Sequence, residues 1–218
     1  MRKILNSKLA ILNLCFCLLF VAGCFGRSKA PNLIEQYSLE YAPPTVESLA
    51  RIGESIKVER FSVAQSFNSQ AMVYRAQPYK LAVYNYNRWR VNPGDMVTDY
   101  LIRDLRATDI FPAVFSYRDI EKTRFVVEGG IEEFLETKEK DNWKTVLKTS
   151  VSFIDGSQKE LTKRIVFQKR YHFEESLKEH SPDEFARGMS VNMQRFSEQL
   201  IKDIQTEKVK SERVSSRQ

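Results

Sequence analysis

The sequence has 218 residues, 42% of them hydrophobic and 28% charged, the balance of an ordinary globular protein. That composition excludes disorder over most of the chain, and 8 Gly, 7 Pro and 3 Cys exclude collagen-like and disulfide-scaffold classes. The formal charge of +6 hints at nucleic acid or anionic lipid, so where the charges sit decides the reading.

Residues 1–23 carry Arg2, Lys3 and Lys8 and no acid, followed by an apolar run from Leu9 to Gly23 broken at Asn13. A basic head, an apolar stretch and small residues at the end describe a secretory signal peptide. The run would span roughly 22 Å as a helix, short of a bilayer core of about 30 Å. An uncleaved N-terminal anchor is the alternative. Val21-Ala22-Gly23-Cys24 resembles the lipobox of bacterial lipoproteins. In that family the Cys thiol is alkylated by diacylglycerol, the chain is cut just before it, and the new amine is acylated. Cys24 is therefore the expected lipidation site. Phe25 rather than Asp at the next position favours the outer over the inner membrane by the same resemblance. Loss of Arg2, Lys3 and Lys8 lowers the net charge to about +3, and with it the nucleic-acid hint. Cys15 and Cys17 leave with the signal, so the mature domain has no disulfide.

Residues 24–36 read as lipidated Cys and tether, containing Pro31. Tyr37–Tyr41 is expected as a short strand stopped by Pro43-Pro44. Ser55–Ala64 reads as a strand with a bulge, because Phe61 and Val63 break the phase of Ile56 and Val58. Ala71–Arg75 and Tyr79–Tyr86 form a hairpin candidate around Gln77-Pro78. Asn92-Pro93-Gly94-Asp95 opens a helix whose apolar positions are Met96, Val97, Tyr100, Leu101 and Leu105, ending near Thr108.

Arg124–Leu135 is expected as a long strand, bent at Gly129-Gly130. Trp143 to Phe153 alternates apolar or Thr positions with Lys148, Ser150 and Ser152, and Asp155-Gly156 signals a hairpin turn. The next strand puts Ile165, Phe167, Lys169, Tyr171 and Phe173 on one face. Ser181-Pro182-Asp183-Glu184 opens the last helix as a capping box, with Phe185, Met189, Met193, Phe196, Leu200 and Ile204 on one face over about 24 residues. Residues 206–218 form a polar C-terminal tail expected to fray. The pattern predicts an α+β fold: a mixed, mainly antiparallel sheet with two amphipathic helices on one face, spanning residues 37–205.

Catalytic signatures are missing from the sequence. It has no phosphate-binding glycine loop, no Gly-x-Ser-x-Gly and no His-Glu-x-x-His. Two His and no free Cys after processing make a zinc site improbable, and no metal or other cofactor is expected. Glu132, Glu133, Glu136 and Glu139 run toward Lys138, Lys140 and Asp141 and read as a solvated hairpin tip. The densest candidate partner-binding surface holds Tyr74, Arg75, Tyr84, Tyr86, Arg88 and Trp89. Interleaved aromatic and basic residues also serve single-stranded nucleic acid, which an exported location disfavours; strand formers packing a hairpin are the plainer alternative.

Tyr37-x-Leu39, Ile56-x-Val58, Met72-Val73-Tyr74-Arg75, Tyr84 to Trp89, Pro93, Leu101 with Leu105, and Phe111 with Val114 occur in an order that resembles the ABC-type transport auxiliary lipoproteins, the PqiC/YmbA-like family. Asp109-Ile110-Phe111 stands where members usually carry Gly before the Phe. The resemblance implies a non-enzymatic periplasmic lipoprotein that works with an MCE-family protein and an ABC transporter permease and ATPase. Such systems move phospholipids or other hydrophobic molecules between membranes. It also implies a membrane link through the N-terminal lipid, with a homo-oligomeric ring as one option. The alternative is a structural or assembly lipoprotein of a lipopolysaccharide or secretion apparatus.

Overall fold

The computed structural model describes residues 33–45 and 51–215. The signal segment, Cys24 and most of the tether lie outside these residues. Contacts divide the chain at Leu33/Ile34, and the unit from Ile34 onward carries the fold.

The architecture is α+β, as the pattern predicts, and one strand organises it. β7 (Phe125–Glu139) bonds antiparallel along its whole length to β8 (Asn142–Asp155), which bonds antiparallel to β9 (Ile165–Ser176). The opposite edge of β7 is shared by three short parallel strands in succession. These are β2 (Ile56–Val58), β3 (Ser62–Val63) and β4 (Ala71–Gln77). Outside β2 lies β6 (Val114–Ser116). Outside β4 lies its hairpin partner β5 (Lys80–Trp89), edged over Asn87–Trp89 by the parallel β1 (Glu35–Tyr37). The long ladders are the antiparallel ones.

α1 (Pro93–Ala107) packs on β2, β3, β6 and β7, and α3 (Pro182–Ser215) on β1, β8 and β9. Strand alternation explains the core they cover. Registered residues point the same way, so Val58, Val127, Phe153 and Phe167 form one row, and all four are buried. The predicted apolar face of α3 is fully buried at Phe185, Met189, Met193, Phe196, Leu200 and Ile204. Phe196 meets Tyr171 and Phe61 edge-on at 5.3 and 6.3 Å.

Local chemistry sets the helix ends. Asn92 accepts from the Gly94 N–H at 2.8 Å, and Pro93 takes the first turn, as predicted. Past Thr108, Asp109 adopts φ 51°. That left-handed conformation suits glycine and is tolerated by aspartate, which accounts for the Gly-to-Asp departure at this position. Ser181 caps α3, its Oγ accepting from the Glu184 N–H at 3.3 Å. Glu184 does not complete the capping box; it accepts instead from the Lys178 N–H at 2.9 Å and from Arg187. α3 continues to Ser215, ten residues into the segment read as a fraying tail.

Other expectations are corrected. Tyr37–Tyr41 is strand only as far as Tyr37. Leu39 turns inward, and Tyr41 stacks on Tyr100 of α1 at 5.3 Å and donates to the buried Asp104 at 2.8 Å. Ser55–Ala64 is two strands, because Val58 and Phe61 are both fully buried three residues apart, which unbroken alternation forbids. The chain leaves the ladder between them, and the Phe61 N–H goes to Thr98 of α1 at 3.0 Å. Asp155-Gly156 is not a tight hairpin turn. The connection includes a helical turn, α2 (Leu161–Arg164), while Asp155 accepts from Arg124 and Ser157. The tight reversal lies at Lys140-Asp141, where Glu139 faces Asn142 and Lys140 has φ 56°.

Candidate functional site

Alternation splits the six-residue surface read from the sequence. In β4, Tyr74 lies on the helix-covered side with Glu136 and Thr145, and Arg75 lies opposite. The β4–β5 register slips between Ala71 and Val73 and again between Tyr74 and Gln77. These bulges change which residues of β5 face inward. Trp89 is no surface residue: it is completely buried, meeting Phe134 and Phe185 edge-on at 5.4 and 5.1 Å. Arg88, its neighbour, points to the other face. Arg75 approaches Glu133 at 4.0 Å, and Tyr86 is half exposed.

Tyr74 and Tyr84 join a cluster that the sequence did not reveal. Glu136 is fully buried, contrary to the solvated-tip reading of its acidic run. The Tyr84 hydroxyl donates to its Oε2 at 2.7 Å. Nδ1 of His180 lies 2.9 Å from its Oε1 and 2.8 Å from the Tyr84 hydroxyl. Trp143 stacks on the His180 ring at 3.9 Å with an 11° tilt, and Tyr74 meets that ring edge-on at 4.9 Å. Four separate segments thus converge: β4, β5, the β7–β8 hairpin and the loop before α3. Both carboxylate oxygens of Glu136 are engaged inside the protein. The cluster's geometry makes a latch that fixes the start of α3 against the two hairpins.

Burial is the main influence on Glu136, and it raises the carboxyl above its ordinary value despite the opposing hydrogen bonds from His180 and Tyr84. The folded state therefore holds this proton more tightly than the unfolded chain, whose glutamate titrates near ~4.3. The resulting stabilisation is complete below that value and is lost as pH rises through the raised one. The stability of the native sequence relative to Glu136→Gln is thus expected to fall as pH rises above the unfolded value of about 4.3 and through the raised one. Urea denaturation of both proteins at each pH checks this; a flat difference contradicts it.

The sheet face away from the helices bears an open groove of about 940 Å³ between β3, β7, β8 and β9. Arg60, Glu128, Ser150, Ser152, Gln168 and Arg170 line it, with Val126 and Val151 as its apolar members. A second cleft, between α1 and the chain after β6, has Arg103, Arg106, Arg118, Asp99 and Asp119 on its walls. The polar wall of the first groove does not suit an acyl chain. Among the described residues no cluster of His, Cys, Asp and Glu has the form of a metal site. No helix there is long and apolar enough to cross a membrane.

Solved structures share this fold. Protein XCC0632 from Xanthomonas campestris, of the DUF330 family, superposes with a TM-score of 0.73 at 13% identity, over 81% of this chain and 98% of that one. An uncharacterized protein gives 0.59 at 15% identity, over 78% and 99% of the two chains. The hypothetical protein CT253 from Chlamydia trachomatis gives 0.51 at 11% identity, over 71% and 96%. No curated protein matches the sequence. A family model described as "ABC-type transport auxiliary lipoprotein component" matches residues 37–201, from the end of β1 to deep within α3. By that match, which takes in β2 to β9, α1 and the first twenty residues of α3, the chain belongs to the ABC-type transport auxiliary lipoprotein family.

Proposed function

We propose that this protein is the lipid-anchored, non-catalytic adaptor of an MCE/ABC-type lipid transport system, holding the transport assembly at the periplasmic face of the outer membrane. The observation that carries the reading is the family match over residues 37–201, preceded by the lipobox that ends at Cys24. Family membership supports a role beside an ABC transporter, and the lipobox supports the membrane link.

An adaptor rather than a lipid carrier fits the interior. Its rings fill the space between sheet and helices, as in the stack of Phe125 on Phe153 at 5.3 Å and of Phe153 against Phe167 at 5.5 Å. The groove on the open face of the sheet is polar and open. The partner surface is the face of the β4–β5 hairpin that carries Arg75 and Arg88, with Tyr86 beside it. Trp89 supports it from beneath.

Affinity purification of the full-length protein from detergent-solubilised envelope is expected to bring down an MCE-family protein with its permease and ATPase. Charge reversal at Arg75 and Arg88 is expected to reduce that recovery at least tenfold while circular dichroism stays unchanged. Undiminished recovery removes this surface from the interface. Recovery of secretion or lipopolysaccharide assembly components instead overturns the transport reading.

A further inference from the structure

We propose that the β4–β5 turn is a membrane-contact edge that dips into the headgroup region of a phospholipid leaflet beside the acyl anchor. This rests on the lipid-anchored reading above. The exposed large hydrophobic residues are not scattered. Of nine among the described residues, Ile34, Tyr79, Leu81, Val83 and Tyr86 belong to the β1 and β4–β5 corner. Tyr79 stands fully in solvent at the tip of the turn, held there with φ 65°, and Leu81 and Val83 are nearly half exposed. Tyrosine and aliphatic side chains at a projecting turn are what the membrane–water interface accepts, the ring lying at headgroup depth.

Strand direction brings this turn to the anchored end. β1 runs parallel to β5, with Glu35 opposite Asn87 and Tyr37 opposite Trp89. Passing backward along β1, from Tyr37 to Glu35, therefore leads toward the Lys80 end of β5, where the turn lies. The peptide between Cys24 and Ile34 reaches at most about 35 Å when fully extended. A lipid on Cys24 thus holds the membrane within reach of Tyr79.

The neighbouring end of the domain suits an anionic leaflet. β4 is parallel to β7, so the β7–β8 reversal lies at the same end as the β4–β5 turn. Lys80, Lys138 and Lys140 are exposed there. Of the nearby acids, Glu139 is paired with Lys144 at 2.6 Å, and Asp141 and Glu179 oppose the lysines. The free edge of β5 before Asn87 could instead accept a strand from a protein or from a second copy. The register slips in the β4–β5 ladder distort that edge, and bulges of this kind blunt strand addition. Lipid, which needs no register, is the occupant that the corner fits.

The test uses the full-length lipidated protein bound to vesicles of phosphatidylethanolamine and phosphatidylglycerol. An environment-sensitive fluorophore is placed at Tyr79→Cys, at Leu81→Cys and, as a control on the open groove, at Arg170→Cys. With Cys24 acylated, the introduced thiol is the one available for labelling. Labels at 79 and 81 are expected to be quenched by lipid-borne quenchers and at least threefold protected from aqueous iodide, and the label at 170 neither. Vesicle flotation reports the anchor separately. Protein that floats while label 79 remains as iodide-accessible as label 170 overturns the proposal and leaves the anchor standing. Protection of label 79 without vesicles shows a protein occupant and likewise overturns it. Protein that does not float overturns the anchor and this proposal together.

Discussion

Trp89→Ala is expected to destabilise the domain by about 3–5 kcal/mol, the usual cost of truncating a large buried aromatic side chain. The indole is fully buried and lies between Phe134 of β7 and Phe185 of α3. It therefore pins three elements together: the hairpin, the central strand of the same sheet and the last helix. Among the described residues its Nε1 has no hydrogen-bond partner, so the loss is one of packing. Trp89→Phe keeps two-thirds of the pin and should cost less than half as much. Urea unfolding followed by circular dichroism measures both. Tyr86→Ala, at a half-exposed position on the same strand, is expected to stay within about 0.5 kcal/mol of the native protein. Equal effects at 86 and 89 contradict this division of β5 into an anchoring end and a surface end.

The second large effect is expected at Gly129. A methyl group there would lie 2.5 and 2.8 Å from Cε1 and Cζ of Phe61 and 2.7 Å from the Ser150 carbonyl oxygen. Neither neighbour can yield. Phe61 is fully buried and packed against Phe196, and Ser150 is held in the β7–β8 ladder. Gly129→Ala should thus cost about 2–3 kcal/mol, in the range of overpacked cores. Adding Phe61→Leu should recover part of that loss, because the two substitutions act on one contact. Gly53→Ala, with nothing within 4 Å of the added carbon, is the neutral comparison. Denaturation midpoints of the four proteins decide the matter. A tolerated Gly129→Ala with Phe61 intact contradicts the argument.

What could be read from the sequence is what local pattern dictates. Asn92-Pro93 fixes the start of α1, Ser181-Pro182 that of α3, and the period-four apolar residues of α3 name its buried face. The three-strand meander was legible from the long strand expected at Arg124–Leu135 and the alternation between Trp143 and Phe173. The resemblance to auxiliary lipoproteins rested on order and spacing, and the family match covers nearly the same span. What escaped depends on partners distant in the chain. Val58 and Phe61 both fill the core only because α1 supplies Thr98 to bond the Phe61 N–H. The inward turn of Trp89 follows from bulges whose positions no single strand encodes.

Glu136 is the sharpest case. Its acidic neighbours suggested solvent, yet it continues the inward phase set by Phe134 two residues earlier. An acid in an apolar phase beyond the expected strand end was the available signal. His180, which completes the latch, sits in a loop with no periodicity to read. The departure at Asp109 shows the converse: a mismatch to the expected glycine that a positive φ resolves.

The arrangement around β7 has a consequence for how the chain is made. A ribosome or an export channel delivers the sequence from its N-terminus, and β2, β3 and β4 all emerge before the strand that joins them. Until residues 125–139 are available, β3 has no ladder, β2 and β4 have only their outer partners β6 and β5, and Ile56, Val58, Phe61 and Met72 lack the central strand of their core. The half-made product is a set of short apolar strands with open edges, the form most exposed to aggregation and proteolysis. β7, by contrast, finds β8 through a two-residue reversal as soon as both are out. Assembly of the sheet is thus gated by a late-arriving template, and for much of its synthesis the protein has to be shielded by its surroundings.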